Sequence, residues 1–213
     1  EIYKPVPSSY IEGLVTDIVT REKLASDAEL IDLKTGKVVA SIKTKKGEGD
    51  FLIALPGQRD YLLNVNNESY LFYSNNFSLK DNTSTKPYFL DIRLSMPKVG
   101  EKVVLKNIFF DIDKFNIKGE SKIELDKLVS LLKRFNNLKI EIGGHTDNTG
   151  SSQSNLTLSK NRAKSVMEYL VANGISQSRL TYAGYGATKP IATNNTDAGK
   201  AENRRTEFKV ISN

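Results

Sequence analysis

The sequence predicts two domains, an all-β sandwich over residues 10–95 followed by an α/β domain over residues 103–213. In the first part, short β-type runs are separated by turn signals at a spacing of about 8–12 residues, which is typical of a small sandwich. In the second part, strand-like runs alternate with longer amphipathic segments, which is typical of helices packed against a sheet. Residues 1–9 are interpreted as an N-terminal extension and residues 96–102 as a linker.

Six segments of the first part have the pattern of strands. Alternation and β-branched residues predict strands at residues 13–19, 27–33, 37–44, 50–56, 61–67 and 90–95. Turn signals such as KTGK at residues 34–37 separate them. Asn-rich stretches, including SNNFS at residues 74–78, are interpreted as surface loops.

The second part alternates strands with two helices. Strands are predicted at residues 103–110, 138–144, 179–186 and 204–212. A first helix over residues 121–135 places on one face Leu125, Leu128, Leu132 and Phe135. At its start, Ser121 and Glu124 have the spacing of a capping box. A second helix over residues 157–174 ends at Gly174 and turns inward Ala163, Val166, Met167, Leu170 and Val171.

Composition and charge exclude several classes of protein. The chain has no cysteine, which rules out disulfides and thiolate chemistry. No apolar run approaches the roughly 20 residues of a membrane-spanning helix. The net charge of +6 lies wholly in residues 99–213, which carry 18 basic against 12 acidic side chains. A basic half is compatible with an anionic partner such as nucleic acid, acidic lipid or cell wall, and equally with a role in solubility alone.

The octet GGHTDNTG at residues 143–150 contains the only histidine of the chain. Catalysis is disfavoured because the sequence has no nucleophile elbow to accompany His145 and Asp147. A metal site is disfavoured because zinc needs three or four ligands, and the run at residues 111–116 lacks the rest of a calcium loop. We therefore expect no catalytic residue, no metal and no cofactor, and we expect His145 to pack at the end of a strand.

A binding site for a zwitterion fits the octet better. Asp147 opens a polar loop that leads into the second predicted helix, and Arg162 lies on the flank of that helix. A carboxylate and a guanidinium in one small site can hold a ligand that carries both an ammonium and a carboxylate. Spacing alone leaves open the alternative that Asp147 and Arg162 pair with each other.

Four separated motifs resemble the OmpA-like C-terminal domain family. They are IFFDIDKFNI, IGGHTDNTGSSQSNLTLSKNRAKSV, YLVANGISQSRLTYAGYGATKPIATN and NRRTEF, in order over about residues 103–212. The resemblance implies a βαβαββ fold and non-covalent, non-catalytic binding of peptidoglycan. It further implies that Asp147 and Arg162 grip meso-diaminopimelate in the stem peptide of the wall.

The same resemblance implies supporting roles for further residues. Those that match pocket-lining positions of the family are Phe110, Asp113, Thr146, Asn155 and Leu158. The NRR motif suggests that one of Arg204 and Arg205 is structural and that the other assists with wall charge. Lys200 stands where many members of the family carry arginine.

Residues 10–95 resemble, more distantly, the carboxypeptidase regulatory-like (transthyretin-like) sandwich. The order of motifs runs from the GLVTD start through KKGEGDF to LPG and YLLNV, with a hairpin two residues longer than usual. The pairing of the two modules resembles outer-membrane-associated lipoproteins of the type IX secretion machinery of Bacteroidetes, which would make this chain the C-terminal part of a longer protein.

These resemblances imply a periplasmic tether, associated with the outer membrane, that joins an outer-membrane or secretion complex to the wall. The competing hypothesis is binding of nucleic acid or another anionic polymer through the basic half. The aromatic residues of that half sit mostly at core-like positions, so no nucleic acid is expected as a partner.

Overall fold

The computed structural model describes residues 8–80, 87–111 and 113–213. The chain divides into two compact units, one ending at Met96 and one spanning Pro97–Asn213. Most of the predicted N-terminal extension lies outside the described residues, and its last two residues, Ser8 and Ser9, already belong to the first strand.

The N-terminal unit consists of two sheets. Its strands are β1 (Ser8–Asp17), β2 (Asp27–Asp32), β3 (Val38–Lys43), β4 (Asp50–Pro56), β5 (Asp60–Asn66), β6 (Tyr73–Ser78) and β7 (Tyr88–Leu94). One sheet has the order β4-β1-β7, with β1 antiparallel to β4 and parallel to β7. The other has the order β3-β2-β5-β6 and is antiparallel throughout. Side chains of both sheets, such as Ile11, Leu30 and Ile92, share one buried cluster, which makes the unit a sandwich.

The interpretation of SNNFS as a surface loop is wrong, because these residues lie in β6. Tyr73 packs against the core, and Phe77 is buried and stacks on Tyr61 with ring centroids 5.8 Å apart. β6 is the last strand of its sheet. An outer strand needs only one apolar face, so asparagines at the remaining positions are compatible with it.

The C-terminal unit alternates strands and helices around one sheet. Its elements are β8 (Lys102–Leu105), α1 (Lys122–Arg134), β9 (Lys139–Gly144), α2 (Ser152–Ala172), β10 (Leu180–Gly184), α3 (Asp197–Asn203) and β11 (Thr206–Ser212). The sheet order is β10-β9-β11-β8, with β10 parallel to β9 and β11 antiparallel to both its neighbours. The segment predicted as a linker is bonded to β11, since Gly100 N–H donates to the Val210 carbonyl at 2.9 Å.

The first strand of this unit ends five residues earlier than the predicted strand over 103–110. Residues 106–111 and 113–118 belong to no helix or strand, and a short 3-10 turn follows at Gly119–Ser121. Ser121 does not cap α1: its Oγ accepts a hydrogen bond from the Phe109 N–H at 2.8 Å. Glu124 is fully buried and accepts from the Asn107 side chain at 3.1 Å. The predicted capping box is therefore wrong, and its two residues instead anchor the loop that follows β8.

The two long helices bury the face that the apolar period predicts, with exceptions near their ends. Leu125, Leu128 and Leu132 of α1 are buried, and so are Ala163, Val166, Met167 and Leu170 of α2. Val171, predicted to face inward, is 37% exposed. α2 begins five residues earlier than predicted, with the Ser151 hydroxyl accepting from the Ser154 N–H at 3.1 Å. Gly174 follows the helix with φ at +89°.

A close approach of backbones fixes α2 against β9. A Cβ on Gly144 would lie 2.1 Å from the Ser159 carbonyl oxygen, so no other residue fits there. The Ser159 hydroxyl in turn accepts from the Gly186 N–H at 2.9 Å, which ties the segment after β10 to the helix. These contacts hold the loop after β9 beside the first turns of α2. None of the helices in the described ranges is long and apolar enough to span a bilayer.

Candidate binding cleft

A cleft of about 630 Å³ lies where the loops after β8 and β9 meet α2 and α3. All eight residues that the sequence singles out line it, namely Phe110, Asp113, Thr146, Asp147, Asn155, Leu158, Arg162 and Arg204. These residues are up to 94 positions apart in the chain, and the fold brings them into one cleft. The arrangement offers two carboxylates, two guanidiniums, a hydroxyl, an amide and an apolar surface to a single ligand.

Asp147 is held rigidly at the end of β9. The residue is 7% exposed, and its Oδ1 accepts from the Thr149 N–H at 2.8 Å. The Asn155 side chain donates to the carbonyls of Asp147 and Thr149, at 3.3 and 2.9 Å. Burial alone would raise the pKa of the Asp147 carboxyl, but hydrogen bonds from Arg204 and the Thr149 backbone outweigh it, and the pKa lies below its usual value. Asp147 is therefore ionised at neutral pH.

Arg162 is half-buried, and among the described residues its hydrogen bonds go to two backbone carbonyl oxygens. Its Nε donates to the Lys114 carbonyl at 3.0 Å, and its Nη2 donates to the Asp111 carbonyl at 3.2 Å. Its guanidinium carbon lies 4.9 Å from the centroid of the Phe110 ring. Within residues 8–80, 87–111 and 113–213, no carboxylate lies within ion-pair distance of it. Burial lowers the pKa of the guanidinium, while the nearby Asp113 carboxylate opposes this shift.

The alternative in which Asp147 and Arg162 pair with each other is wrong. Asp147 Oδ2 accepts from Arg204 Nη1 at 2.5 Å, and Arg162 bonds to the loop after β8. The side chain of Arg204 is 48% exposed, so this ion pair faces solvent on one side. The cleft thus holds the Asp147 carboxylate, which is paired with Arg204, and a separate Arg162 guanidinium, which is bonded to backbone carbonyls.

The loop after β8 forms one wall of the cleft and is shaped by its own charges. Asp111 Oδ1 lies 3.0 Å from Lys118 Nζ, and these charges lower the pKa of the Asp111 carboxyl. Asp113 has φ at +55°, a backbone conformation that costs free energy for any residue other than glycine. This tight turn directs the Asp111 and Lys114 carbonyls at Arg162.

The Thr146 hydroxyl is a further polar group of the cleft. Thr146 is 6% exposed, and its N–H donates to the Gly186 carbonyl at 3.0 Å. Its Oγ1 has no hydrogen-bond partner in the described part of the chain. A buried hydroxyl without a partner costs free energy, so the group is suited to bind a ligand.

The cleft also contains residues that sequence reasoning missed. They are Ile108, Phe109, Asp111, Thr149, Asp197 and Lys200. Asp197 and Lys200 lie on α3, a helix of seven residues that the sequence did not predict, so their position could not be inferred. The place of Lys200 in the family motif was the available signal.

His145 and Arg205 belong to a buried network beside the cleft. His145 is 2% exposed, stacks on Tyr185 with centroids 5.1 Å apart, and places Nε2 3.4 Å from Glu207 Oε1. Arg205 is buried and its Nε donates to Glu207 Oε2 at 3.1 Å. Burial alone would raise the pKa of Glu207, but His145, Lys102 and Arg205 outweigh it and lower this pKa to about 2. Arg205 is thus held by contacts within the fold, and Arg204 is the arginine of the NRR motif that lines the cleft.

Comparison with known proteins assigns the C-terminal unit. Residues 109–204 match the model of the OmpA family, so the chain contains an OmpA-like domain. Outer membrane protein A of Bordetella avium is 36% identical over 115 residues, covering 54% of this chain and 59% of that protein. Outer membrane porin F of Pseudomonas fluorescens is 38% identical over 104 residues, covering 49% of this chain and 32% of that protein.

Two further similarities concern wall-associated proteins. The peptidoglycan-binding protein ArfA of Mycobacterium tuberculosis is 43% identical over 86 residues, covering 40% of this chain and 26% of that protein. The peptidoglycan-associated lipoprotein of Burkholderia pseudomallei has a crystal structure similar to this chain, with a TM-score of 0.44 and 27% identity over 50% of this chain and 88% of that one. The chain spans less than two thirds of the length of each of the three relatives found by sequence.

Proposed function

We propose that the C-terminal unit binds peptidoglycan non-covalently and thereby tethers an outer-membrane or secretion complex to the wall. The observation that carries this proposal is the half-buried Arg162 guanidinium, which has no carboxylate partner in the described ranges and lies in one cleft with the buried Asp147. A partly desolvated charge without a carboxylate at ion-pair distance is costly. A ligand carboxylate would remove that cost.

The ligand that fits both poles is a zwitterion. The side-chain end of meso-diaminopimelate carries an ammonium and a carboxylate on one carbon, so it can reach Asp147 with the first and Arg162 with the second. The free hydroxyl of Thr146 offers a further hydrogen bond. One relative of this unit, ArfA, is named as a peptidoglycan-binding protein, which supports the same ligand class.

The arrangement favours binding without catalysis. His145, the only histidine of the chain, is buried against Tyr185 and is not among the residues that line the cleft. The Asp147 carboxylate and the Arg162 guanidinium, which do line it, are both held in place by hydrogen bonds to the backbone. Such fixed charges suit recognition of a ligand.

Binding of nucleic acid through the basic half is disfavoured. The cleft combines three cationic side chains with four aspartates, namely Asp111, Asp113, Asp147 and Asp197. These four carboxylates would repel a polyanion. A small zwitterion can place its ammonium at Asp147 and its carboxylate at Arg162.

The location and partners of the chain belong to the same proposal. We infer a periplasmic position associated with the outer membrane, as the names of the two outer-membrane relatives suggest. We further infer that the N-terminal sandwich, a transthyretin-like scaffold by its motif order, contacts the complex that is tethered. The module order favours a type IX secretion complex as that partner.

The experiment is sedimentation of the chain with purified sacculi of the diaminopimelate type. The parent chain should sediment, and Asp147→Ala and Arg162→Ala should each abolish sedimentation. Arg134→Ala is the matched control, because Arg134 also lies over a phenylalanine ring, at 5.0 Å, but outside the cleft. Sedimentation of both single variants at the parental level would contradict the proposal.

A further inference from the structure

β4 is an edge strand of the N-terminal sandwich, and its sequence differs from that of the other three edge strands, β3, β6 and β7. β7 carries Asp91 and Arg93, β6 carries serines and asparagines, and β3 ends on Lys43 after a register shift against β2. Polar side chains and irregular pairing protect an edge strand from pairing with another chain. β4 has the apolar run FLIAL at residues 51–55 and pairs with β1 without a register shift. This run has no such protection.

The free edge of β4 presents backbone groups in a regular pattern. The Val15 N–H donates to the Gly49 carbonyl at 2.8 Å, so the odd-numbered residues of β1 and β4 occupy the hydrogen-bonded positions of their ladder. The N–H and C=O groups of Leu52 and Ala54 therefore face away from β1. Among the described residues, none donates to these carbonyls or accepts from these N–H groups.

β4 is anchored on its inner face and apolar on its outer face. Phe51 is buried and packs directly on Gly13, where a Cβ would lie 2.2 Å from the ring. On the outer face Leu52 is 64% exposed, and the exposed Ala54 lies opposite the exposed Tyr10 of β1. The strand is thus a fixed template with unpaired backbone groups and an apolar surface beside them.

We propose that β4 pairs antiparallel with β4 of a second copy of this chain and joins the two three-stranded sheets into one. A two-fold axis perpendicular to the sheet, through Ile53, keeps both sandwiches on the same side of it. This axis sets Leu52 opposite Ala54 of the second copy, so that their outward N–H and C=O groups bond to each other. At both positions a large side chain lies beside a small one.

The charges of β4 favour a second copy over a charged partner. Residues 51–55 carry no charge, so two identical strands do not repel each other there. Asp50 lies opposite Pro56 of the second copy, and the two Asp50 carboxylates stand at opposite ends of the pairing, roughly 20 Å apart. A charged partner strand would find no opposite charge along this run.

The size of the contact limits its affinity. One edge strand of seven residues from each copy buries less than the roughly 1,200–2,000 Å² of a standard interface, so we expect a weak dimer with a Kd of about 100 µM. One consequence rests on the proposed function: two joined copies offer two clefts to the wall. This raises the avidity for sacculi without any change in the affinity of one cleft.

The test is sedimentation-velocity centrifugation of the full chain from about 1 to about 500 µM, which brackets the expected Kd. The parent should pass reversibly from monomer to dimer. Ala54→Lys and Leu52→Lys each introduce like charges into the pairing, and each should weaken it at least tenfold. Phe89→Lys is the matched control, because Phe89 is 56% exposed on β7, the opposite edge of the same sheet, and it should dimerise as the parent does. Thermal unfolding checks that each variant is folded.

A cysteine cross-link tests the register, since the chain has no cysteine of its own. A mixture of Leu52→Cys and Ala54→Cys should form a mixed disulfide dimer, because opposite residues of a hydrogen-bonded pair have Cα atoms about 5.5 Å apart. Either variant alone should cross-link at least tenfold more slowly, because each cysteine lies more than about 7 Å from its own copy.

Three outcomes would overturn the proposal. They are a parent chain that stays monomeric at every concentration, lysine variants that dimerise as the parent does, and an equal loss of dimer in Phe89→Lys. A mixture that cross-links no faster than the single cysteine variants would overturn the register. The proposed function is tested separately, since monomeric Ala54→Lys should bind a diaminopimelate peptide as tightly as the parent does. Loss of that binding in Arg162→Ala does not depend on whether the chain dimerises.

Discussion

Asp147 and Arg162 line the same cleft, and each is bonded to a different partner. Asp147 pairs with Arg204 at 2.5 Å, whereas Arg162 donates to the Lys114 carbonyl at 3.0 Å. The two charges are thus fixed before any ligand arrives, and neither neutralises the other. Because these side chains are already ordered, binding a ligand costs little conformational entropy.

The hydrogen bonds of the Arg162 guanidinium predict that lysine cannot replace arginine at this position. Arg162→Lys keeps the positive charge but loses the bonds to two carbonyls and the planar contact with Phe110. We expect the affinity for a diaminopimelate peptide to fall by about 2 kcal/mol, roughly thirtyfold. Titration calorimetry measures this loss, and an affinity for the Lys variant equal to that of the parent would argue against a bidentate contact.

The charge of Asp147 matters more for binding than for folding. Asp147→Asn keeps an acceptor for the Thr149 N–H but leaves Arg204 without a carboxylate. Because Arg204 is half exposed, the loss of stability should be only about 1 kcal/mol, whereas peptide binding should fall at least tenfold. Chemical denaturation and titration calorimetry separate the two effects.

A matched carboxylate in the other unit provides the control for this variant. Asp32 is 1% exposed, accepts from backbone N–H groups of a turn and pairs with Arg59 at 2.6 Å. Asp32→Asn should lower stability and leave peptide binding unchanged. Equal losses of binding in Asp32→Asn and Asp147→Asn would mean that the effect comes from folding.

Glu207 should make the C-terminal unit sensitive to acid. Its pKa is about 2 in the folded chain against an ordinary value of 4.5, so the unfolded chain takes up the proton first as the pH falls. The stabilisation from Glu207, about 3 kcal/mol, is therefore complete above about pH 4.5 and is lost as the pH falls toward 2.

Hydrogen exchange of amides in β9 and β11 between pH 5 and pH 2 measures this dependence. Glu207→Gln should lower the protection at pH 5 and flatten its change with pH. Glu202→Gln, at an exposed position of α3, should behave as the parent does. If protection changes with pH equally in the parent and in Glu207→Gln, the acid sensitivity comes from other groups.

The contact between Gly144 and α2 predicts a large effect of one methyl group. In Gly144→Ala the new Cβ would lie 2.1 Å from the Ser159 carbonyl oxygen, so β9 and α2 must separate. We expect a loss of about 1–3 kcal/mol in the free energy of unfolding and weaker peptide binding, because the loop that carries Asp147 follows Gly144. Gly119→Ala meets nothing within 4 Å and should leave both quantities unchanged.

Much of the fold follows from local pattern, and the failures have physical causes. Core residues such as Leu128 and Ile142 produce the apolar period of the two long helices and the apolar pattern of strands such as β9. These elements could therefore be predicted from the sequence. α3 has no such period. It is formed by the Thr196 cap, which accepts from the Gly199 N–H at 3.1 Å, and by the buried Asn203, which donates to the Ala192 carbonyl at 2.9 Å.

The site could be predicted only as far as its residues belong to the motifs. Asp147 and Arg162 were identified from their types and order, and the structure brings them into one cleft. The partner of Asp147 could not be inferred, because Arg204 lies 57 positions away and reaches the cleft through the turn after α3. The contacts of Arg162 could not be inferred either, since backbone carbonyls leave no signal in the sequence.

The most direct measurement is a comparison of two stem peptides that differ only at the third residue. One contains meso-diaminopimelate, and the other contains L-lysine, which has the ammonium group and lacks the carboxylate that Arg162 would bind. Titration calorimetry with the full chain should give clear binding of the first and an affinity for the second at least tenfold lower. Equal affinities for the two peptides would contradict a zwitterion held between Asp147 and Arg162.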